Sequence, residues 1–285
     1  MRSTRRQFIE RPFEALFKSF SQLDDAMKLG LVTYLWGQDW DLSELIHNCQ
    51  ETGFEGVELR TEHAHGVEIH LSKPQRINVL NQFADSDVVL VGLGTNWSFH
   101  HQDAALLAHS ISQAKASIIL AHDVGASGIK VKPDALPDSV PQEQTIAQIG
   151  RSLRGLGEFG EGYGQEIRLE VHGYLTDQLP NIRKIMDATN HSNVRVCWNC
   201  NETDLNALGL ESNFNLVRPD FGRTIHVREL DGKSYPYSQL FNLLVASQYQ
   251  GWVLLEARTN PPDRIVALRH QRSLFDTLLE LSQKN

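Results

Sequence analysis

Residues 166–173 read EIRLEVHG, and the alternation in that stretch decides the fold. Ile167, Leu169 and Val171 fall one step out of phase with Arg168, Glu170 and His172, the period of a β-strand with one apolar and one polar face. Outward from it, seven more short apolar or β-branched runs follow the same style, at residues 29–36, 56–60, 88–94, 128–133, 194–199, 224–230 and 252–257. Amphipathic helical stretches separate them, at 41–52, 73–84, 103–123, 142–161, 178–189, 205–217, 236–247 and 263–282. Strand starts spaced about 25 to 40 residues apart match the unit of a closed (β/α)8 barrel. We therefore expect one barrel domain over residues 28–285, preceded by an extra amphipathic helix within residues 1–27.

Composition narrows the function. The 285 residues are 41% hydrophobic and 22% charged, and the balance of 27 basic against 35 acidic residues gives −8, which disfavours a nucleic-acid partner. By this reading no apolar run reaches the roughly 20 residues of a membrane helix. Three cysteines, Cys49, Cys197 and Cys200, are too few for a disulfide framework and fit a reducing, cytoplasmic setting. The start, Ser3 to Phe8 (STRRQF), resembles a twin-arginine export motif, but Glu10, Arg11, Glu14 and Lys18 interrupt the apolar region such a signal needs. Phe13, Leu16, Phe17, Phe20 and Leu23 recur at helical spacing and would dock on the barrel or on a second copy, which leaves a homo-oligomer open. A doubly wound sheet would carry a glycine fingerprint after its first strand, and none is present. Gly155-x-Gly157-x-x-Gly160 lies inside a helical stretch, where its glycines are expected only to soften the helix.

In a barrel of this kind the active site lies at the C-terminal strand ends. Strand parity puts Glu58 with Arg60, Lys130 with Lys132, Arg168 with Glu170 and His172, Cys197 with Asn199, and His226 with Arg228 on shared faces, with Glu256 near the end of the last run. With those faces inward, Glu170, Asn199, His226 and Glu256 gather oxygen and nitrogen donors from four successive strands. Such a set suits a divalent cation, Mn²⁺ or Mg²⁺ first, Zn²⁺ or Co²⁺ next. The competing reading is a charge network in which Glu170 and Glu256 neutralise Lys130, Lys132, Arg168 or Arg228.

Five segments, GFEGVELR (53–60), EIRLEVHG (166–173), VCWNCN (196–201), TIHVREL (224–230) and YQGWVLLEAR (249–258), resemble the xylose isomerase-like TIM barrels, over roughly residues 28 to 281. That family includes sugar and sugar-phosphate isomerases and epimerases. The resemblance implies Glu170, Asn199, His226 and Glu256 as metal ligands, with Glu170 and Glu256 also as acid/base groups. It implies proton transfer next to a carbonyl, giving ketose–aldose isomerisation or epimerisation through an enediolate. Asn199 stands where many members carry a metal-binding Asp, which weakens the attraction for a dication.

The partner expected is a small polyhydroxylated carbonyl compound, with no nucleic acid and no membrane. His172, Lys132, Arg228, Arg60, Trp36, Trp198, His65 and His100 are the candidate substrate-binding residues, cations for an anionic group and aromatic faces for sugar C–H bonds. Cys197-x-x-Cys200 has a redox spacing but no second pair. Two other functions remain open: a dehydratase or lyase on a sugar- or inositol-derived ketone, in which the enediolate expels a hydroxyl, and a binding barrel whose metal site has degraded through Asn199.

Overall fold

In a computed structural model, residues 27–284 are described. The eight apolar runs are strands: β1 (Lys28–Val32), β2 (Gly56–Arg60), β3 (Val89–Ser98), β4 (Gly128–Lys132), β5 (Glu166–Glu170), β6 (Val194–Asn199), β7 (Phe221–Val227) and β8 (Trp252–Leu255). All pair in parallel in chain order, and β8 returns to β1 through Leu29 opposite Val253, so the sheet closes. Parallel closure requires a crossover after each strand. The crossovers are α1 (Leu42–Thr52), α2 (Lys73–Ala84), α3 (Ala104–Asp123), α4 (Gln142–Glu161), α5 (Leu179–Thr189), α6 (Gly209–Val217) and α7 (Tyr237–Ala246), and α8 (Arg264–Gln283) follows the last strand. The proposed N-terminal helix and the twin-arginine-like start lie outside the described residues.

Local chemistry sets the helix starts. Asp41 accepts from the Glu44 amide and Asp103 from the Ala105 amide, each satisfying a first-turn N–H at a helix that opens one residue later. The helical stretch expected at 205–217 is interrupted. A 3₁₀ turn, Glu202–Leu205, precedes α6, and Ala207 (φ 56°) and Gly209 (φ 82°) hold left-handed backbone that a continuous helix cannot contain. The first run ends early, at Val32, and the third extends to Ser98.

Strand parity sorts the side chains as expected. Val57, Leu59, Ile129, Val131, Ile167, Leu169, Val196, Ile225 and Val227 point outward and are wholly buried under the helices. Each such side chain contributes about 1.5–3 kcal/mol of burial. Helix α3 corrects one expectation, since its 20 residues are long and apolar enough by composition to cross a membrane. It instead lies on β3 and β4 and buries Ala114, Ile118, Leu120 and Ala121. Gly157 and Gly160 do more than soften α4: a Cβ on Gly157 would stand 2.8 Å from Val194 and from His191, and one on Gly160 2.6 Å from the Gln165 carbonyl. They let the helix approach the barrel.

Inside the barrel, the N-terminal half is closed by Arg168. Its guanidinium donates to Glu166 (2.9 Å), to the Val91 carbonyl (3.0 Å) and to Ser127 Oγ (2.7 Å). Gly92 leaves the room, because a Cβ there would come within 2.5 Å of Arg168 Nη1. Arg168 is thus a buried floor and not one of the cations at the mouth, as parity alone had allowed.

Candidate active site

At the opposite end of the same lumen the strands deliver a second charged layer. Glu170 is the last residue of β5 and Asn199 the last of β6, opposite His226 in register. His226 lies opposite Leu254 of β8, and Glu256 extends that strand by donating its amide to the Val227 carbonyl at 2.7 Å. Glu58 of β2 and Lys130 of β4 complete the layer. All six are buried, with exposures of 8% or less.

Glu170 is the hub. Lys130 Nζ donates to its Oε2 at 2.7 Å, and Asn199 Nδ2 to its Oε1 at 2.9 Å. His226 turns Nδ1 toward the same Oε1 at 3.7 Å and Nε2 toward Glu58 Oε1 at 3.2 Å, yet neither ring nitrogen and neither Glu58 oxygen has a hydrogen-bond partner. Gly94 makes space for Glu58, since a Cβ there would lie 2.8 Å from its Oε1. Burial pushes the Glu170 carboxyl up, but Lys130 and His226 outweigh it and hold it well below the usual carboxylate range. Burial opposes the charge of Lys130, and Glu170, Glu58 and Glu256 more than restore it. Burial also opposes protonation of His226, while the Cys197 sulfur and the Glu58 and Glu170 carboxylates raise it well above the ordinary histidine value.

Around this cluster lies a rim. Lys132 is half-buried at the end of β4, where burial and the neighbouring Lys130 pull its ammonium down. Arg60 stacks over Tyr34 at 4.9 Å and reaches the Asn96 side-chain oxygen. His172 and His100 approach Asp134 at 3.7 and 4.0 Å. Asp134 belongs to a two-residue ladder, Asp134–Ala135 with Gly173–Tyr174, that bridges the loops after β4 and β5. Trp36 and Arg228 line a neighbouring cavity with Glu229, Tyr235 and Thr259. Trp36 donates to the Thr259 carbonyl, and Arg228 keeps a buried Nε without a partner.

Two expected substrate contacts are corrected. Trp198 is wholly buried in the outer wall, edge-on to Phe214 and tilted against Phe221, because it is one residue out of phase with Asn199. His65 has both ring nitrogens engaged by backbone, Nε2 on the Arg60 carbonyl at 2.7 Å and Nδ1 accepting from the Val67 amide at 3.0 Å. Burial lowers it to about 4, so it is a neutral loop brace. Cys197 and Cys200 are free, buried and out of phase by strand parity, so the redox spacing joins nothing. Glu58 and Asp134 stood outside the expected set. The Glu58 signal was its parity with Arg60, but its meeting with His226 across the lumen has no local signature.

Glu170, His226 and Glu256 present one donor atom each, all within 4.8 Å of one another, so the trio could reach a shared metal ion. The surroundings do not fit a dication. Both Glu170 oxygens already accept from N–H donors, and one of these is a buried ammonium. The Asn199 amide offers its nitrogen to Glu170, and reversing it would set amide oxygen against carboxylate.

An eight-stranded parallel barrel with a buried acid–base cluster at its C-terminal strand ends defines the class, a TIM-barrel protein with an enzyme-like mouth. A family profile described as xylose isomerase-like TIM barrel matches residues 46–274, and the chain belongs to that family. Among solved structures it is similar to the 3-keto-D-glucoside 4-epimerase YcjR from E. coli in its apo form, at 17% identity and TM-score 0.73, over 88% of this chain and 100% of that one. An L-ribulose 3-epimerase superposes at 15% identity and TM-score 0.78, over 91% and 96% of the two chains. An IOLI protein with a bound zinc atom does so at 14% and 0.75, over 90% and 99%. At these identities the likeness is one of fold. No curated protein matched the sequence.

Proposed function

We propose that this chain is a sugar isomerase or epimerase, moving a proton at the carbon next to the carbonyl of a small polyhydroxylated compound. One observation carries the reading: a carboxylate oxygen of Glu170, one of Glu256 and a ring nitrogen of His226 lie within 4.8 Å of one another at the C-terminal strand ends. Two carboxyl groups side by side at the mouth can serve one substrate, one taking a proton and the other returning it. Glu170, held ionised by Lys130, enters as a proton acceptor, and Glu256, at the outer edge of the cluster, faces the substrate from the other side. The enediolate oxygen needs a positive or donor group, and His226 with its unpartnered nitrogens and the Lys132 ammonium supply it. Return of the proton to the opposite face gives an epimer, and return to the adjacent carbon gives an aldose–ketose pair.

His172, His100, Arg60, Arg228 and Trp36 are the rim groups for hydroxyls or an anionic end of the substrate. The test is deuterium uptake from heavy water by a panel of ketoses, keto-sugars and sugar phosphates, read by NMR and mass. Exchange at the carbon next to the carbonyl, with product mass otherwise unchanged, is expected. Loss of one water would assign the chain to dehydration instead, and no exchange across the panel would leave only binding.

A further inference from the structure

We propose that the Lys130 ammonium, with the Asn199 amide, takes the place of a divalent cation in this barrel, so that Glu170, His226 and Glu256 form a metal-independent site. Three observations independent of turnover support it. Lys130 Nζ lies 2.7 Å from Glu170 Oε2 with its side chain 3% exposed, so the ammonium is built into the lumen. Its strand neighbours are Gly94, which has no side chain, on one side and Arg168, whose guanidinium is engaged by Glu166, Val91 and Ser127, on the other. Asn199 meets the second Glu170 oxygen as a donor at 2.9 Å. An aspartate in its place would face Glu170 as a second anion, an arrangement that calls for a cation between them, whereas the amide needs none.

The result is a carboxylate with both oxygens satisfied by protein nitrogen. A dication within reach of Glu170, His226 and Glu256 would have to share Glu170 with the ammonium as its immediate neighbour, in an interior that screens like charges weakly. Glu58 lies 3.2 Å from His226 Nε2 and Glu256 Oε2 lies 3.3 Å from Arg258 Nη2, so each of the three carboxylates has a nitrogen neighbour in the same chain.

The experiment is equilibrium dialysis of the full native chain against about 100 µM Mn²⁺ or Zn²⁺, with melting temperature recorded in parallel. The native chain is expected to take up no saturable equivalent and to show no metal-dependent rise in melting temperature. The variant Lys130→Met/Asn199→Asp is expected to bind one ion per chain, and further Glu170→Gln to weaken that binding by roughly tenfold or more. One equivalent on the native chain, lost in Glu170→Gln, overturns the proposal. So does a folded double variant that binds nothing, because Lys130 and Asn199 would then not be what excludes the ion. If circular dichroism shows the double variant unfolded, Lys130→Gln alone takes its place with the same two outcomes. Deuterium exchange that appears only with added metal would sink metal independence and leave the reaction standing. No exchange and no metal uptake would do the reverse.

Discussion

The barrel holds buried charge at two levels, and the two levels are built differently. In the floor, Arg168 finds an acceptor for each of its three nitrogens, and its main anionic partner, Glu166, also accepts from the Arg223 amide. At the mouth, Glu58 and His226 are just as deeply buried, yet two oxygens and two ring nitrogens have no hydrogen-bond partner. Buried polar atoms are normally hydrogen-bonded, so the fully bonded arginine is accounted for by architecture, while the Glu58 and His226 atoms of the mouth, next to the bonded Lys130–Glu170–Asn199 group, are not. The same lumen thus separates the arginine of the floor from the charged cluster of the mouth within one strand: Arg168 and Glu170 are two residues apart on the same face of β5.

Glu170 and Glu256 test the mouth most directly. Glu170→Gln and Glu256→Gln are each expected to lower the deuterium-exchange rate by about 10²–10⁴-fold, the scale of a lost acid or base group, with urea unfolding still cooperative. Near-native exchange in either variant would remove the two-carboxylate scheme. Arg168→Met should cost about 3–5 kcal/mol in urea unfolding by breaking a buried pair, as Glu170→Gln does through Lys130, but its folded fraction should keep its exchange rate. A large loss of rate without a loss of stability would erase the distinction between floor and mouth.

The smallest effect concerns His65, which is buried beside the mouth but paired like the floor. Its folded value of about 4 lies below the ordinary 6.5, so the unfolded chain binds more protons between those limits. The stability it contributes is complete above pH 6.5 and is lost as pH falls toward 4, with a slope of up to about 1.4 kcal/mol per pH unit. Urea titrations at several pH values should show that slope reduced by about one proton in His65→Gln, with substrate KM unchanged. A raised KM would return His65 to the substrate.

Much of this was legible in the chain. The alternation in EIRLEVHG placed Glu170 inward and Leu169 outward, and both placements follow from parity alone. The same parity that turns Asn199 inward turns Trp198, one residue earlier, outward against Phe214 and Phe221 and away from any sugar. His65 lies in a loop, where no period reports direction, and its backbone partners appear only when the chain is folded. Glu58 is legible as an inward carboxylate, but its approach to His226 at 3.2 Å joins β2 to β7 across the lumen, between residues far apart in sequence.

Sequence alone therefore determined the barrel, its eight strands and which side chains enter the lumen, because strand period and crossover spacing are local properties that survive any packing. Only the tertiary structure decided which inward charges satisfy one another. Lys130 and Arg168 are both buried cations on inward faces, and their roles part because closure of the barrel sets one among backbone acceptors in the floor and brings the other onto a carboxylate at the mouth.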